Sequence, residues 1–368
     1  MKWLNGAFLP ALALVLGCGG GSGPRPIVLD KPEATLPGSY GQVNNAVELG
    51  DGRLALADFG DRVFLYASFD AAKVDTVGQH ADSISPTDPA PGKYKLPGQV
   101  FHFGGDTVAL LDFATLRVEL WSEGGAYYGN VKLQPVGGPN PPIAYDTIGH
   151  AYKQDYRAVM GGLEPGVRIA LDSAPVLRFP REGSIADTVA RLKLPKFGEG
   201  KFGETTKQVA TVFSGTDVFG VTPEGTVWVA RAGSNSVDWR TVDGKWTSGP
   251  KRPWSKVPVS DADKSHFMDL AHANGMPTGL NIEFPFAEYK PPFASATGGR
   301  NGEVWLQRSR AFDDPVPVYD VVGRDGRMVR AVQLPRKASI IGFGRDGVVY
   351  VAVRGENQRQ TVERFRLK

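Results

Sequence analysis

Short stretches in which apolar and polar residues alternate recur from about residue 40 to the end of the chain, and most follow a glycine-containing turn. Alternation with a period of two predicts β-strands rather than helices. Asp-Gly and Asn-Gly dipeptides supply the positive φ angles that tight hairpin turns need. Turns of this kind stand at Asp51-Gly52, Gly104-Gly105, Glu224-Gly225, Asn301-Gly302 and Asp346-Gly347. The pattern therefore predicts a chain of β-hairpins.

The hairpins share one repeated unit, which consists of a strand, a glycine turn, a middle strand, a polar turn and a third strand. Middle strands are predicted at 52–58, 105–112, 225–231, 302–308 and 347–354. A fourth strand is predicted at 328–334. Four-stranded antiparallel sheets repeated along one chain are typical of a β-propeller. We therefore predict an all-β propeller over residues 27–368.

These units resemble NHL- and TolB-like repeats, and the chain is similar to six-bladed β-propeller proteins of unknown activity among bacterial lipoproteins. The resemblance covers roughly residues 40–368. With about 40–50 residues for each blade, six blades are predicted and seven are the second choice. The last unit lacks its outermost strand, and a segment around Ile27 to Leu29 is predicted to supply it, which would remove an exposed sheet edge.

An insertion at about 251–295 interrupts the repeats and is predicted to contain a helix. Ser260 is a good N-cap, and Gly275 ends the helical pattern. The predicted apolar face consists of Phe267, Leu270 and Ala271. Two positions remain open for this helix, one on the side or rim of the propeller and the other as a lid across its central funnel.

The N-terminus resembles the export signal and lipobox of bacterial lipoproteins. Residues 1–17 form a predicted signal peptide whose apolar run is too short to span a bilayer. Cys18 is the predicted lipidation site, and residues 18–26 form a glycine-rich tether. This resemblance implies an acyl-anchored protein of the cell envelope, in the outer membrane if the organism has one. The alternative is an ordinary secretory signal with an incidental cysteine.

The composition excludes several kinds of function but does not identify one. The 42 Lys and Arg residues nearly balance the 39 Asp and Glu residues, for a net charge of +3, which argues against a nucleic-acid partner. A single cysteine excludes an internal disulfide and a site with several thiolate ligands. The 41% of apolar residues can build a sizeable core.

Motifs that could carry chemistry are weak. The GxGxxG match at 342–347 precedes a predicted strand instead of a helix, so we interpret it as a hairpin turn. The histidines lack the spacing of a zinc pair, and no Gly-x-Ser-x-Gly elbow occurs. No cofactor is predicted. The likeness to gluconolactonase-type propellers implies a divalent metal in the central channel as an alternative.

The residue that closes each middle strand falls at an equivalent place in six units. These candidate channel-rim residues are Asp58, Asp112, Asp155, Arg231, Arg308 and Arg354. A rim that is acidic on one half and basic on the other could orient a dipolar ligand or bind an anion. The competing interpretation is that these side chains satisfy their own turns.

The leading hypothesis is a membrane-anchored, extracytoplasmic binding module for a protein, a glycan or a small anionic ligand. The first alternative is a propeller enzyme of the metal-dependent lactonase or lyase type, with its site in the central channel. The second is a purely structural component of the envelope.

Overall fold

The computed structural model describes residues 25–71, 74–84, 90–132, 144–155, 171–180, 186–279 and 281–367. Within these ranges the protein consists of β-strands and one α-helix. The predicted signal peptide, Cys18 and most of the predicted tether lie outside them. No helix in the described ranges is long and apolar enough to cross a bilayer.

Six sheets of four or five strands follow one another along the described chain, and we number them 1 to 6 in that order. Sheet 1 consists of Val43–Glu48, Leu54–Asp58, Val63–Tyr66 and Val74–Thr76. Sheet 2 consists of Pro97–His102, Thr107–Asp112, Arg117–Ser122 and Tyr127–Lys132. Sheet 3 consists of Ala144–Tyr145, Ala151–Gln154, Ser173–Phe179 and Asp187–Lys193. In each sheet, consecutive strands pair in antiparallel fashion.

Sheets 4 to 6 repeat this order. Sheet 4 consists of Val218–Val221, Val227–Arg231, Ser236–Arg240 and Trp246–Ser248. Sheet 5 contains Phe293–Gly298, Val304–Arg308, Val318–Val322 and Met328–Gln333. Sheet 6 contains Ala338–Phe343, Val348–Arg354 and Gln360–Arg366. The N-terminal strands Ile27–Val28 and Ala34–Thr35 complete sheets 5 and 6 respectively. The predicted middle strands are confirmed as the second strands of their sheets.

Glycine turns connect the first and second strands, as the dipeptide pattern predicts. In sheet 6 the turn contains Asp346 and Gly347 with φ angles of 54° and 75°, a region in which L-residues are strained. A Cβ atom on Gly347 would lie 2.6 Å from the carbonyl oxygen of Leu367, so only glycine fits there. The GxGxxG match is therefore a hairpin turn, as predicted.

The six sheets pack on one another in cyclic order. The first strands of sheets 6, 1 and 2 contact one another in turn, and so do those of sheets 3, 4 and 5. A separate hydrophobic cluster fills each junction between neighbouring sheets. One contact pair can stand for each cluster, taken in order from the junction of sheets 1 and 2 to the junction of sheets 6 and 1. These pairs are Ala55 with Val108, Phe103 with Tyr145, Val189 with Val229, Ala230 with Leu306, Trp305 with Val349, and Tyr350 with Leu56. This closed ring of antiparallel sheets is a β-propeller arrangement.

The closing strand differs from the prediction. Ala34–Thr35, and not Ile27–Leu29, adds the outermost strand to sheet 6, where it pairs with Glu363 and Arg364. Ile27–Val28 instead pairs in parallel with Val332–Gln333 and becomes a fifth strand of sheet 5. The chain has to run from the outer edge of sheet 6 to Val43 in sheet 1. Residues 34–40 lie directly before that strand, whereas residues 27–29 fall one sheet further back.

The insertion contains helix α1, Asp261–Ala273, with a capping box in which the Ser260 hydroxyl accepts from the Asp263 amide and the Asp263 carboxylate accepts from the Ser260 amide. The predicted cap is confirmed. The predicted apolar face is wrong at Leu270, which is 50% exposed. Phe267 faces inward as predicted, and Asp263 takes the inward place predicted for Leu270, because the helix packs on Phe284 and on an ion pair rather than on a continuous apolar surface.

A β-hairpin that the sequence pattern did not reveal supports this helix. Its strands Phe197–Phe202 and Thr205–Ala210 lie in the connection from sheet 3 to sheet 4 and pair with Ile282–Glu283 of the insertion. Phe202, Phe267 and Phe284 make edge-to-face contacts between hairpin, helix and insertion. A further parallel pair, Gln79–His80 with Lys93–Tyr94, lies between sheets 1 and 2.

Replacing Leu36 by alanine tests the closing strand. Leu36 is 2% exposed and its amide donates to the Val362 carbonyl, so we expect the free energy of unfolding to fall by about 2–5 kcal/mol in urea titrations. The matched variant Ile27→Ala removes a side chain that is 40% exposed and should change it by less than about 1 kcal/mol. Equal losses in both variants would contradict closure by residues 34–40.

Candidate functional site

The six predicted rim residues lie at equivalent places in the six sheets. Five of them are the last residue of the second strand of their sheet. The sixth, Asp155, directly follows the second strand of sheet 3. Because the strands are antiparallel, the start of each first strand lies at the same edge of the sheet. We call this the connection edge, since the chain passes there from one sheet to the next.

The acidic residues of this set are buried, and backbone amides donate hydrogen bonds to the carboxylates of Asp58 and Asp112. The Asp112 carboxylate accepts from the amides of Leu96 and Ala114 at 2.9 and 3.1 Å and from the Thr115 hydroxyl at 2.8 Å. Asp58 is equally buried and occupies the same place in sheet 1. These carboxylates therefore fasten the connection edge of their own sheets.

Asp58 accepts from the amides of Gly41 and Gln42 at 3.0 and 2.7 Å. Those amides belong to the segment that leads into the first strand, so the carboxylate joins the end of one strand to the start of its neighbour. Asp155 is also buried, and its backbone amide donates to the Pro175 carbonyl at 2.8 Å.

The arginines differ from one another in their contacts. Arg231 is held between Asp217 at 2.8 Å and Asp238 at 2.7 Å, while Arg308 pairs with Asp320 at 2.7 Å. The guanidinium of Arg354 is exposed and donates to the Gln358 side chain at 3.4 Å. The bonds named for these three arginines, and those of Asp58 and Asp112, stay within one sheet or reach an adjacent loop. None of them joins two of the predicted rim residues.

A cavity of about 230 Å³ lies at the connection edge of sheet 4, next to Arg231. One side is formed by the connection from sheet 3, including Lys193, Lys196 and Asp217. The other side is formed by the insertion, which contributes Trp254, Lys256 and the segment Tyr289–Pro292. We call this space the lysine cavity, because four lysines and a single carboxylate line it.

Asp217 makes the sheet side of the lysine cavity rigid. Its carboxylate accepts from the Ala232 amide at 3.1 Å, from the Lys193 amide at 2.9 Å and from Arg231. The side chain is almost fully buried, and its charge is already opposed by the guanidinium. Asp217 therefore holds together the sheet side of the cavity. Because it is already paired with Arg231, it does not neutralise the charges of Lys193 and Lys196.

Lys290 holds the insertion side to helix α1. Its ammonium group lies 2.5 Å from the Asp263 carboxylate, donates to the Arg310 carbonyl at 2.8 Å and stands 5.7 Å from the centre of the Phe213 ring. Burial opposes ionisation of Asp263, but hydrogen bonds from Lys290 and Ser260 lower its pKa below the ordinary value. Lys290 is therefore a structural cation.

The remaining three lysines present their charge to solvent at the cavity. Lys193, Lys196 and Lys256 are exposed, and the Lys256 ammonium lies 5.1 Å from the centre of the Tyr289 ring. Trp254 is 41% exposed and Tyr289 is 38% exposed, although both are large and apolar enough to be buried. Concentrated positive charge beside exposed aromatic rings can attract and hold an anionic ligand.

This group was not found from the sequence. Lys193 and Lys196 are separated from Lys256 by a whole sheet. The stretches 191–196 and 251–256 each contain three Lys or Arg residues, but nothing in the sequence shows that they meet. A further signal was that both stretches are connections between sheets, which meet at one edge when the ring forms.

Other chemistry-bearing side chains stay in small groups. The buried Asp146 accepts from His150 Nδ1 at 2.7 Å and from the Tyr152 hydroxyl at 2.9 Å, at the edge opposite the connection edge. In the described part of the chain no three or more His, Cys, Asp or Glu side chains form a group that could hold a metal ion.

No protein-family model matches this sequence, and no curated protein matches it either. Several solved structures are distantly similar to this chain. A gluconolactonase from Xanthomonas campestris is 13% identical, with 90% of this chain and 91% of that chain covered and a TM-score of 0.40. A member of the DUF4221 family from Bacteroides vulgatus is 9% identical, with 92% and 98% covered and a TM-score of 0.47. The calcium-binding protein regucalcin from Agrobacterium tumefaciens is 10% identical, with 90% and 93% covered and a TM-score of 0.42.

Replacing Asp112 by alanine should destabilise the protein because it leaves buried amides without an acceptor. Each unpaired buried group costs about 1–3 kcal/mol, so we expect the free energy of unfolding to fall by at least about 2 kcal/mol. Arg354→Ala changes an exposed side chain at the equivalent place in sheet 6 and should stay within about 0.5 kcal/mol. Chemical denaturation of both variants is the measurement, and a neutral Asp112→Ala would contradict the fastening role.

Proposed function

We propose that this chain is an exported, lipid-anchored, six-bladed β-propeller that binds an anionic ligand in the lysine cavity. The blade number is supported by the six sheets of the described residues and by the six hydrophobic clusters between them. Each sheet then corresponds to one blade, with its first strand innermost.

Lipid anchoring is supported by the sequence around Cys18. An apolar run of signal-peptide length ends at Val15-Leu16-Gly17-Cys18, and a glycine-rich tether follows. A diacylated cysteine at this position would hold the propeller at a membrane surface, since each buried methylene contributes about 0.8 kcal/mol. The tether would let the folded ring stand away from that surface.

The observation that carries the binding proposal is the arrangement of three exposed lysines and two exposed aromatic rings around one cavity. Of the predicted rim residues, Arg231 alone borders this cavity closely enough to contact its wall through Asp217. We propose that Arg231 positions Asp217 and that the lysines meet the ligand. The site thus lies between two blades at the connection edge.

We propose binding in preference to metal-dependent lactonase or lyase activity, since in the described part of the chain no three His, Cys, Asp or Glu side chains form a group that could hold a metal ion. A binding module needs a rigid frame, a cavity and complementary charge, and the lysine cavity provides these.

Replacing Cys18 by serine tests the anchor. We expect Cys18→Ser to abolish incorporation of radiolabelled palmitate and to move the protein from the membrane fraction to the soluble fraction after cell lysis. The control Ser22→Ala alters the tether alone and should leave both readouts unchanged. Membrane association of Cys18→Ser equal to that of the unaltered protein would contradict lipid anchoring.

Replacing Lys193, Lys196 and Lys256 together by alanine tests the cavity. The probes are trigalacturonate and inorganic tripolyphosphate, and the readout is the rise in Tm that a ligand produces when it binds the folded state. We expect at least one probe to raise the Tm of the unaltered chain and neither to raise that of the triple variant.

The matched control replaces Lys31, Lys245 and Lys251, which are exposed, carry the same total charge and do not line the cavity. It should respond as the unaltered chain does. The binding proposal is overturned if neither probe raises the Tm of the unaltered chain, or if both triple variants lose the response equally.

A further inference from the structure

We infer that the lysine cavity recognises an acidic saccharide, with one uronic acid ring seated against Trp254 and Tyr289 and its carboxylate directed at the lysines. This inference rests on the proposed function and names the class of its ligand. It draws on the placement of the aromatic rings, the distribution of charge and the size of the space.

The two aromatic side chains are held in place by backbone pairing within the insertion. The Val259 amide donates to the Glu288 carbonyl at 3.0 Å, and the Lys290 amide donates to the Val257 carbonyl at 2.8 Å. This pairing fixes the segment that carries Trp254 beside the segment that carries Tyr289. Two exposed rings at a rigid cavity offer flat apolar faces, and the carbon–hydrogen face of a sugar ring is flat and apolar in the same way.

The charges are distributed in a way that suits carboxylates on a saccharide. Lys193 and Lys196 stand on one side of the cavity, and Lys256 stands on the other beside Tyr289. Lysine ammonium groups act as separate point charges, whereas an arginine side chain grips a single carboxylate or phosphate with two parallel hydrogen bonds. Spaced single charges match the spaced carboxylates of a polyuronate.

A phosphate cradle is missing from the neighbouring helix. The N-terminus of α1 is occupied by the Ser260–Asp263 capping box, and Asp261 adds a further negative charge to its first turn. These groups oppose an anion where a nucleotide-binding helix would attract one. The observations therefore favour a saccharide over a nucleotide.

The cavity has room for one ring. Its volume of about 230 Å³ is below the roughly 300–1,000 Å³ of ordinary ligand pockets. The Ser214 hydroxyl lines it and accepts from the Lys196 amide at 3.1 Å. A hydroxyl that accepts one hydrogen bond can also donate one to a ligand oxygen. A single uronate ring would fill the space, and the rest of the saccharide would extend outside.

The test measures trigalacturonate binding to the purified full chain by isothermal titration calorimetry, with fully methyl-esterified trigalacturonate and tripolyphosphate for comparison. We expect Trp254→Ala to weaken trigalacturonate binding about tenfold, because a stacking surface is lost. Tripolyphosphate binding should be unchanged by this variant. Esterification should also weaken binding about tenfold or more, because it removes the carboxylate charge.

Trp246→Ala is the matched control. Trp246 is 41% exposed, as Trp254 is, and lies on the outer strand of sheet 4 outside the cavity lining. It should leave trigalacturonate binding within about twofold of the unaltered chain. Equal weakening by both tryptophan variants would overturn the inference.

The outcomes separate this inference from the proposal on which it rests. If tripolyphosphate binds in a lysine-dependent manner but Trp254→Ala leaves trigalacturonate binding unchanged, the anion site stands and the saccharide assignment falls. If uridine monophosphate binds more tightly than trigalacturonate and depends on Trp254, the ligand is a nucleotide and the assignment is wrong. If no anion binds in a lysine-dependent manner, the proposed function itself fails.

Discussion

Closure of the ring depends on a short pairing between the two ends of the chain. Tyr40 and Gln360 exchange backbone hydrogen bonds of 2.9 Å in both directions, and the buried side chain of Gln360 accepts from the Val43 amide at 2.6 Å. One residue of the last sheet thereby holds the first strand of the first sheet. This junction between sheets 6 and 1 removes the open edge that an unclosed ring would have. Since every sheet packs on its neighbours, it also restrains the angles between the other sheets. The connections that form the lysine cavity meet because the ring is closed.

A buried carboxylate recurs at the connection edge, and it explains the charged series that the sequence displays. In sheets 1 and 2 the acid ends the second strand, and its oxygens accept amide protons from the segment before the first strand. In sheet 4 the acid stands on the opposite strand, as Asp217, and Arg231 occupies the place of the missing aspartate. Both versions satisfy backbone groups that would otherwise be buried without a partner. Regularity of this kind follows from the repeated fold, with or without a ligand at the rim.

The sequence predicts the parts of this structure that local chemistry determines. The hairpin turns and second strands follow from glycine dipeptides and a period of two, and the start of α1 follows from Ser260 and Asp263. Strands of two residues, such as Ala34–Thr35, are too short to show any period, so the closing strand was assigned to the wrong segment. Leu270 was misplaced because a buried ion pair, which no apolar pattern reveals, orients the helix. The lysine cavity could not be predicted, because its two sides come from connections that only the ring brings together.

The two sides of the lysine cavity are held by different contacts. The sheet side is tied to the ring through Asp217. The insertion is joined to the rest of the chain by backbone pairing of Val212 with Pro285 and Ala287, and by Arg252, which donates to the Asn235 carbonyl at 2.8 Å. Within the insertion, the Lys290–Asp263 pair and phenylalanine contacts hold helix α1. Because the folded-state pKa of Asp263 is lowered, the pair stabilises the protein above the unfolded value of about 3.9 and loses that contribution only as the pH falls through the folded value. At neutral pH an ionised pair therefore fixes helix α1 to the segment of the insertion that carries Lys290. An arrangement of this kind holds Trp254, Lys256 and Tyr289 in place before a ligand arrives, which lowers the entropy lost on binding.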